Sequence, residues 1–149
     1  MPVRSATAAD VGAVMRIERA SFPTDAWTES AMRQTFADGD AFVAEDERGV
    51  VGYGAVLAPP GSGDADVLTI AVAEAARGEG TGAALLERMV AVAAERRASR
   101  VFLEVRADNP VAQRLYATRG FEAVGRRAHY YQPDDVDAVV MRLDLADRR

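Results

Sequence analysis

The stretch "TIAVAEAARGEGTGAALLERM", residues 69–89, contains the most informative pattern in the sequence. A short apolar run leads through a charged segment into three glycines, Gly78, Gly80 and Gly82, and an amphipathic helix follows directly. Glycines at this spacing allow a backbone to come close to a ligand, and the free amides at the start of a helix attract anions. The stretch therefore predicts a strand, a phosphate-binding turn and a helix in succession.

The composition is that of an ordinary globular protein. The chain has 149 residues, of which 49% are hydrophobic and 28% charged, so we expect one domain over residues 1–149. No apolar run approaches the ~20 residues that a membrane helix needs, and the N-terminal segment lacks the apolar core of a signal peptide. These features predict a cytoplasmic protein with no membrane partner.

The residue types that are absent exclude several kinds of site. There is no Cys and only one His, His129, which excludes thiolate chemistry and disfavours a metal site or a Ser-His-Asp triad. All 18 basic residues are Arg, and the absence of Lys excludes a Walker A loop. The net charge of −5 argues against a nucleic-acid partner and suits a basic peptide.

Hydrophobic periodicity and turn signals predict the order β-α-α-β-β-β-α-β-α-β-β. Residues 66–72 and 100–105 have the continuous apolar pattern of buried strands, while Thr28 and Asn109 are typical helix N-caps. Pro110 then occupies the first helical position. The expected fold is mixed α/β, with a central mixed sheet of six or seven strands flanked by four helices.

The glycine-rich turn allows two further interpretations, a dinucleotide-binding turn and a connection without a ligand. Gly78, Gly80 and Ala83 satisfy the dinucleotide-binding pattern G-x-G-x-x-G/A, and Glu104 lies where a ribose-binding acid belongs. Against this, five residues separate Val72 from Gly78, and little chain remains to build further parallel βα units. The second alternative is a glycine-rich connection without a ligand.

The segment "RGEGTG", residues 77–82, matches the R/Q-x-x-G-x-G/A signature of the GCN5-related N-acetyltransferases. The later segments "VFLEVRADN", "PVAQRLYATRGF" and "AVVMRL" follow the order of that family. The chain resembles this family over nearly its whole length, and in particular the RimI group, which acetylates the N-terminal alanine of a small-subunit ribosomal protein. The resemblance implies the family fold, acetyl-CoA as cosubstrate, no metal, and the N-terminal segment of a protein as acceptor.

The resemblance also implies where acetyl-CoA binds. In the family, the strand before the turn parts from its neighbour, so that its backbone groups bind the pantetheine arm, and the amides at the helix start bind the pyrophosphate. The implied contacts are Ile70, Ala71, Val72, Arg77, Gly78, Glu79, Gly80, Thr81, Gly82, Ala83 and Asn109.

Glu104 and Tyr116 are the implied catalytic residues. Glu104 interrupts an apolar strand, so we expect it to be buried and to accept a proton near neutral pH, as the family's general base does. Tyr116 corresponds to the tyrosine that protonates the departing CoA thiolate. The alternatives are a solvent-facing Glu104 and a core Tyr116 that contacts Phe121.

Four aromatic residues are implied to bind the acceptor. Tyr130 and Tyr131 are expected in the loop between the last two strands, and Phe22 and Trp27 on the opposite wall. Relatives commonly have proline before this tryptophan, whereas Ala26 stands here, which leaves the acceptor open. Lysine side chains, polyamines and small-molecule amines are alternative acceptors, and a non-catalytic acyl-CoA-binding domain is a further alternative.

Overall fold

The part of the chain that the structure describes folds into seven strands and four α-helices in the predicted order. The computed structural model describes residues 2–145, so the ends of the predicted domain, Met1 and 146–149, lie outside the described residues. The elements are β1 (Val3–Ser5), α1 (Val11–Ser21), α2 (Glu29–Asp38), β2 (Asp40–Asp46), β3 (Gly49–Leu57), β4 (Asp64–Val72), α3 (Thr81–Glu95), β5 (Arg100–Arg106), α4 (Pro110–Thr118), β6 (Glu122–Tyr131) and β7 (Val136–Asp144).

All seven strands form a single sheet in the order β1-β2-β3-β4-β5-β7-β6. The pairs of neighbouring strands are antiparallel, except for β4 and β5, which are parallel. A dinucleotide-binding domain needs a mostly parallel sheet built from successive βαβ units. The dinucleotide alternative is therefore wrong.

The two parallel strands separate soon after they begin. Asp64–Asp66 pair with Arg100–Phe102, and in the described part of the chain no ladder joins residues 67–72 to residues 103–106. The sheet thus opens into a V at the carboxyl ends of β4 and β5, with backbone groups exposed on both arms. The resemblance implied this separation, and the structure confirms it.

Helices cover both faces of the sheet because side chains alternate along each strand. In β2, Phe42 and Ala44 pack on one side in a cluster that includes α3, whereas Val43 packs on the other side with residues of α1 and α2. Helices therefore pack on both faces of the sheet, β6 stays largely exposed, and the V between β4 and β5 forms an opening into the sheet.

The helix starts that position the site agree with the sequence. The Thr28 side chain accepts a hydrogen bond from the Ala31 amide at the start of α2, at 3.1 Å. Asn109 does the same with the Ala112 amide, also at 3.1 Å, and Pro110 begins α4. No helix among residues 2–145 is long and apolar enough to span a bilayer.

Candidate active site

Two adjoining cavities open at the V between β4 and β5. The strand cavity, of about 470 Å³, lies between the two separated strands, and the turn cavity, of about 590 Å³, lies beside the glycine turn. The two cavities share five lining residues: Phe22, Ile70, Asn109, Ala112 and Tyr116. A ligand in one cavity can therefore meet a ligand in the other at this junction.

The turn cavity brings together the predicted cofactor-binding residues except Glu79. Its wall includes Ile70, Ala71, Val72, Arg77, Gly78, Gly80, Thr81, Gly82, Ala83 and Asn109. Glu79 does not line the cavity, because its carboxylate pairs with Arg48 at 2.6 Å. The Arg77 side chain is exposed, and its Nε donates to the Val72 carbonyl at 3.2 Å, which ties the turn to the end of β4.

The turn itself has the features of an anion site. Gly78 and Gly80 have φ values of +82° and +84°, which residues with a side chain rarely adopt. No side chain caps the start of α3, and the hydroxyl of Thr81 is buried without a hydrogen-bond partner among the described residues. Free amides and an unpaired hydroxyl at a helix start suit a diphosphate such as that of acetyl-CoA. The residues present therefore fit this cosubstrate.

Gly82 serves close packing. A Cβ at this position would lie 3.2 Å from Cδ2 of Leu115 and 3.6 Å from Cγ2 of Val72. The absence of a side chain therefore allows α3, α4 and β4 to meet closely beside the turn cavity.

Glu104 lines the strand cavity, but the predicted burial is wrong. Leu103 and Val105 point into the core, and Glu104 lies on the opposite face of β5, with 32% of its side chain exposed. Strict alternation along the strand places it there. Its two carboxylate oxygens accept hydrogen bonds from Arg127 at 3.2 and 3.3 Å. A carboxylate that water can reach is thus held in place from β6.

Tyr116 lies at the junction of the cavities and is 6% exposed. Its ring contacts Phe121 edge to face, with 6.1 Å between centroids, so it also belongs to the core. Burial, together with the nearby Tyr131, raises the pKa of Tyr116 above its ordinary value. The hydroxyl therefore remains a proton donor even in alkaline solution.

The four predicted acceptor-binding aromatics line the strand cavity. Tyr130 and Tyr131, however, are the last two residues of β6, and the prediction that they lie in a loop is wrong. Strand pairing resumes after an irregularity, with Tyr131 opposite Val136, and this extends β6 through both tyrosines. Their rings are 5.1 Å apart in a T-shaped arrangement, and burial raises the pKa of Tyr131 to about 12.

Glu18, which sequence reasoning did not assign to the site, is a buried carboxylate on the wall of the strand cavity. It is 1% exposed and accepts hydrogen bonds from the Trp27 amide at 2.9 Å and from the Tyr53 hydroxyl. Burial and the Glu18 carboxylate raise the pKa of Tyr53. A charged residue in the apolar stripe of α1 was the available signal.

Arg106 is the second residue that sequence reasoning missed. From the end of β5, its guanidinium contacts Asp25 at 3.2 Å, Asp108 at 3.0 Å and Asp134 at 3.0 Å. It also lies 5.3 Å from the ring centroid of Tyr131. Arg106 thereby joins the α1–α2 loop to the β6–β7 turn, and residues of both segments line the strand cavity.

A glycine turn with free helix-start amides, beside an aromatic, carboxylate-lined cavity between separated strands, is the arrangement that the resemblance to the acetyltransferases implied. Residues 12–121 match the model of the Acetyltransferase (GNAT) family, and the chain belongs to that family. It is 43% identical over 82 residues to the N-alpha-acetyltransferase RimI of Mycobacterium tuberculosis, a match that covers 55% of this chain. It is 31% identical over 146 residues to a provisionally named [ribosomal protein bS18]-alanine N-acetyltransferase of Bacillus subtilis, which covers 96% of this chain and 95% of the relative.

Solved structures agree on the fold. The crystal structure of the ribosomal-protein-S18-alanine N-acetyltransferase from Escherichia coli superposes with a TM-score of 0.83 at 26% identity, over 96% of this chain and 92% of that one. Some curated relatives are longer than the matched region. The match spans 50% of the Mycobacterium tuberculosis RimI and 39% of an uncharacterized protein of Mycobacterium leprae.

Proposed function

We propose that this acetyltransferase moves the acetyl group of acetyl-CoA to the N-terminal α-amine of a protein, with alanine as the first residue. The observation that carries the proposal is the junction at Tyr116, where an anion-binding cavity meets a cavity lined by Glu104 and paired tyrosines. The names of the relatives support a protein N-terminus as acceptor, and a small-subunit ribosomal protein is the acceptor we infer. Such an acceptor implies that the enzyme acts in the cytoplasm.

The turn cavity would hold the cosubstrate, which supplies the activated acetyl thioester when bound. The amides that follow Gly80 and the Thr81 hydroxyl would receive the pyrophosphate, with the Arg77 guanidinium nearby. The backbone groups of Ile70 and Val72, which have no partner strand on the β5 side among the described residues, would hold the pantetheine amides, with Asn109 nearby.

Glu104 and Tyr116 would perform the proton transfers. The α-amine of a peptide has a reference pKa of ~8, so a modest base such as Glu104, acting directly or through water, is sufficient to remove its proton. The amine then bonds to the acetyl carbon, a backbone amide near Val72 polarises the carbonyl oxygen, and the carbon–sulfur bond breaks. Tyr116 gives its proton to the departing thiolate, and the second proton that leaves the amine nitrogen returns through water to the Tyr116 oxygen. Transfer is direct, and the chain contains no Cys to form an acetyl-enzyme.

Aromatic side chains would hold the first residues of the acceptor. All four predicted aromatics, Phe22, Trp27, Tyr130 and Tyr131, line the strand cavity. The cavity volume of about 470 Å³ admits a few residues of an extended peptide.

Acetyl transfer to a peptide panel, followed by mass spectrometry, tests the proposal. The panel contains otherwise identical peptides that begin with Ala, Ser, Gly or Met, and one with a blocked N-terminus and an internal Lys. We expect acetylation of the free Ala peptide and not of the blocked one. Acetylation of the blocked peptide alone would instead establish a side-chain acceptor. Because the enzyme itself has no Lys, any acetyl-lysine comes from the peptide.

A further inference from the structure

Glu79 places a negative charge within the anion-binding turn. It lies between Gly78 and Gly80, one residue before the N-cap of α3, whose first amides have no side-chain cap from residues 2–145. A carboxylate near a helix N-terminus is attracted to those amides and repels another anion at the same place. An unrestrained Glu79 would therefore oppose the diphosphate that the turn suits.

Arg48, in the turn between β2 and β3, restrains this carboxylate. Its Nη2 and Nη1 atoms donate to the two Glu79 oxygens at 2.6 and 3.2 Å, and Nη1 also donates to the Ala75 carbonyl at 3.1 Å. The guanidinium is in turn held by Asp46, at 2.6 Å from Nη2. Neither Arg48 nor Glu79 lines the turn cavity, so the pair lies behind the turn and not within it.

The charge on Glu79 persists at neutral pH. The hydrogen bond from Arg48 lowers the pKa of Glu79 below its ordinary value, so this group does not avoid repulsion by taking up a proton. Because both side chains are about 40% exposed, at 39% and 42%, the pair adds little to stability. The Arg48–Glu79 pair instead fixes the orientation of the Glu79 carboxylate beside the turn.

We propose that Arg48 is a positioning residue for the cosubstrate: it holds the Glu79 carboxylate away from the turn amides and thereby sets the affinity for acetyl-CoA. The inference rests on the proposed function, since it presupposes that the CoA diphosphate binds at this turn. The proposed role involves Arg48 of the β2–β3 hairpin, which lies outside the glycine signature of residues 77–82.

Calorimetric titration of CoA into four proteins tests the inference: the parent, Arg48→Ala, Glu79→Gln and the double variant. We expect Arg48→Ala to raise the Kd about five- to tenfold, because the freed carboxylate then repels the ligand or occupies its amides. Glu79→Gln leaves the Kd unchanged or lowers it. The double variant returns to within about twofold of the parent, because a neutral side chain needs no restraint.

The control is Arg33→Ala, which breaks an exposed arginine–glutamate pair on α2 and should leave the Kd unchanged. A double variant as weak as Arg48→Ala would overturn the inference, because it would mean that Arg48 braces the turn without acting through Glu79. A parent protein that does not bind CoA would instead overturn the proposed function. Melting temperatures of the variants show that each is folded.

Discussion

The guanidinium of Arg106 lies 3.2 Å from the carboxylate of Asp25, although 81 positions separate the two residues along the chain. The same guanidinium reaches Asp134, whose carboxylate also accepts a hydrogen bond from the Thr24 hydroxyl at 2.6 Å. One side chain at the end of β5 thus joins two segments that lie beside the strand cavity. The Arg106 charge and the Thr24–Asp134 hydrogen bond together hold these segments in place.

Replacing Arg106 should weaken acceptor binding and spare the cosubstrate. In Arg106→Gln, the α1–α2 loop and the β6–β7 turn lose their charged link and keep the Thr24–Asp134 hydrogen bond, and we expect the KM for the peptide to rise about tenfold. The Kd for CoA should stay within about twofold, because the turn cavity does not include Arg106. Steady-state kinetics and calorimetry measure the two effects.

The matched control is Arg100→Gln, which removes a similar pair, with Asp64, at the other end of the same strand. An equal rise in peptide KM for both variants would show that the effect is not specific to the contacts of Arg106 with Asp25 and Asp134. A rise in the Kd for CoA would mean that Arg106 acts on both cavities.

A negative charge at Ala83 should block the cosubstrate without harming the helix. Ala83 lines the turn cavity in the first turn of α3, where glutamate stabilises a helix. We expect Ala83→Glu to raise the Kd for CoA about tenfold or more while the melting temperature is kept. Ala84→Glu, one residue on and outside the cavity wall, is the control. Equal CoA affinity of Ala83→Glu and Ala84→Glu would show that the diphosphate does not bind in the turn cavity beside Ala83.

Removing the proposed base or acid should reduce turnover strongly. We expect Glu104→Gln and Tyr116→Phe each to lower kcat about hundredfold, the usual contribution of a positioned proton donor or acceptor. CoA affinity should change little for Glu104→Gln, because this residue lines only the strand cavity. Glu122→Gln, an exposed glutamate on β6, is the control. If Glu104→Gln and Tyr116→Phe both keep kcat within a few-fold of the parent, the assignment of Glu104 as base and Tyr116 as acid is wrong.

The pH profile reports on the buried tyrosine. We expect kcat/KM to rise through about pH 8 as the acceptor amine loses its proton, and then to stay level to about pH 10. Tyr116 must be protonated to act, and burial raises its pKa, so its acid form persists above the range in which a free tyrosine ionises. A decline that starts near pH 9 in a folded enzyme, and that Tyr116→Phe lacks, would contradict this expectation.

Glu18 should be needed for stability and for the acceptor wall. Each Glu18 oxygen accepts one hydrogen bond, from the Trp27 amide or from the Tyr53 hydroxyl. In Glu18→Gln, an NH₂ group replaces one of these oxygens and cannot accept the hydrogen bond that the oxygen accepted. We expect the free energy of unfolding to fall by about 1–3 kcal/mol. Urea denaturation measures this loss, with Glu29→Gln on the exposed side of α2 as the control. Equal stability of the two variants would show that the buried carboxylate is dispensable.

Local signals predicted the fold well. The order of strands and helices follows from hydrophobic periodicity, and Asn109 with Pro110 marks the start of α4 in the sequence and in the structure. These patterns depend on neighbours within a few residues, which is why they can be read from the chain. The separation of β4 from β5 came from the family resemblance and not from periodicity.

The site was less predictable, for two different reasons. The exposure of Glu104 follows from the alternation of β5, so a stricter reading of the strand pattern would have found it. Arg106 and Glu18 are different, because their roles depend on partners 81, 28, 35 and 9 positions away. Such contacts arise only when the chain has folded.

The V between β4 and β5 places unpaired strand edges in the interior of the sheet, where most proteins keep them only at the rim. An open edge of this kind accepts an extended chain by backbone pairing. Under the proposed function, the amide-containing arm of CoA would serve as a substitute strand, so that the cosubstrate completes the sheet. Ligand binding would then add to stability by about 2.7 kcal/mol at a hundredfold excess over Kd, and the supply of acetyl-CoA would help to determine how long the folded enzyme survives.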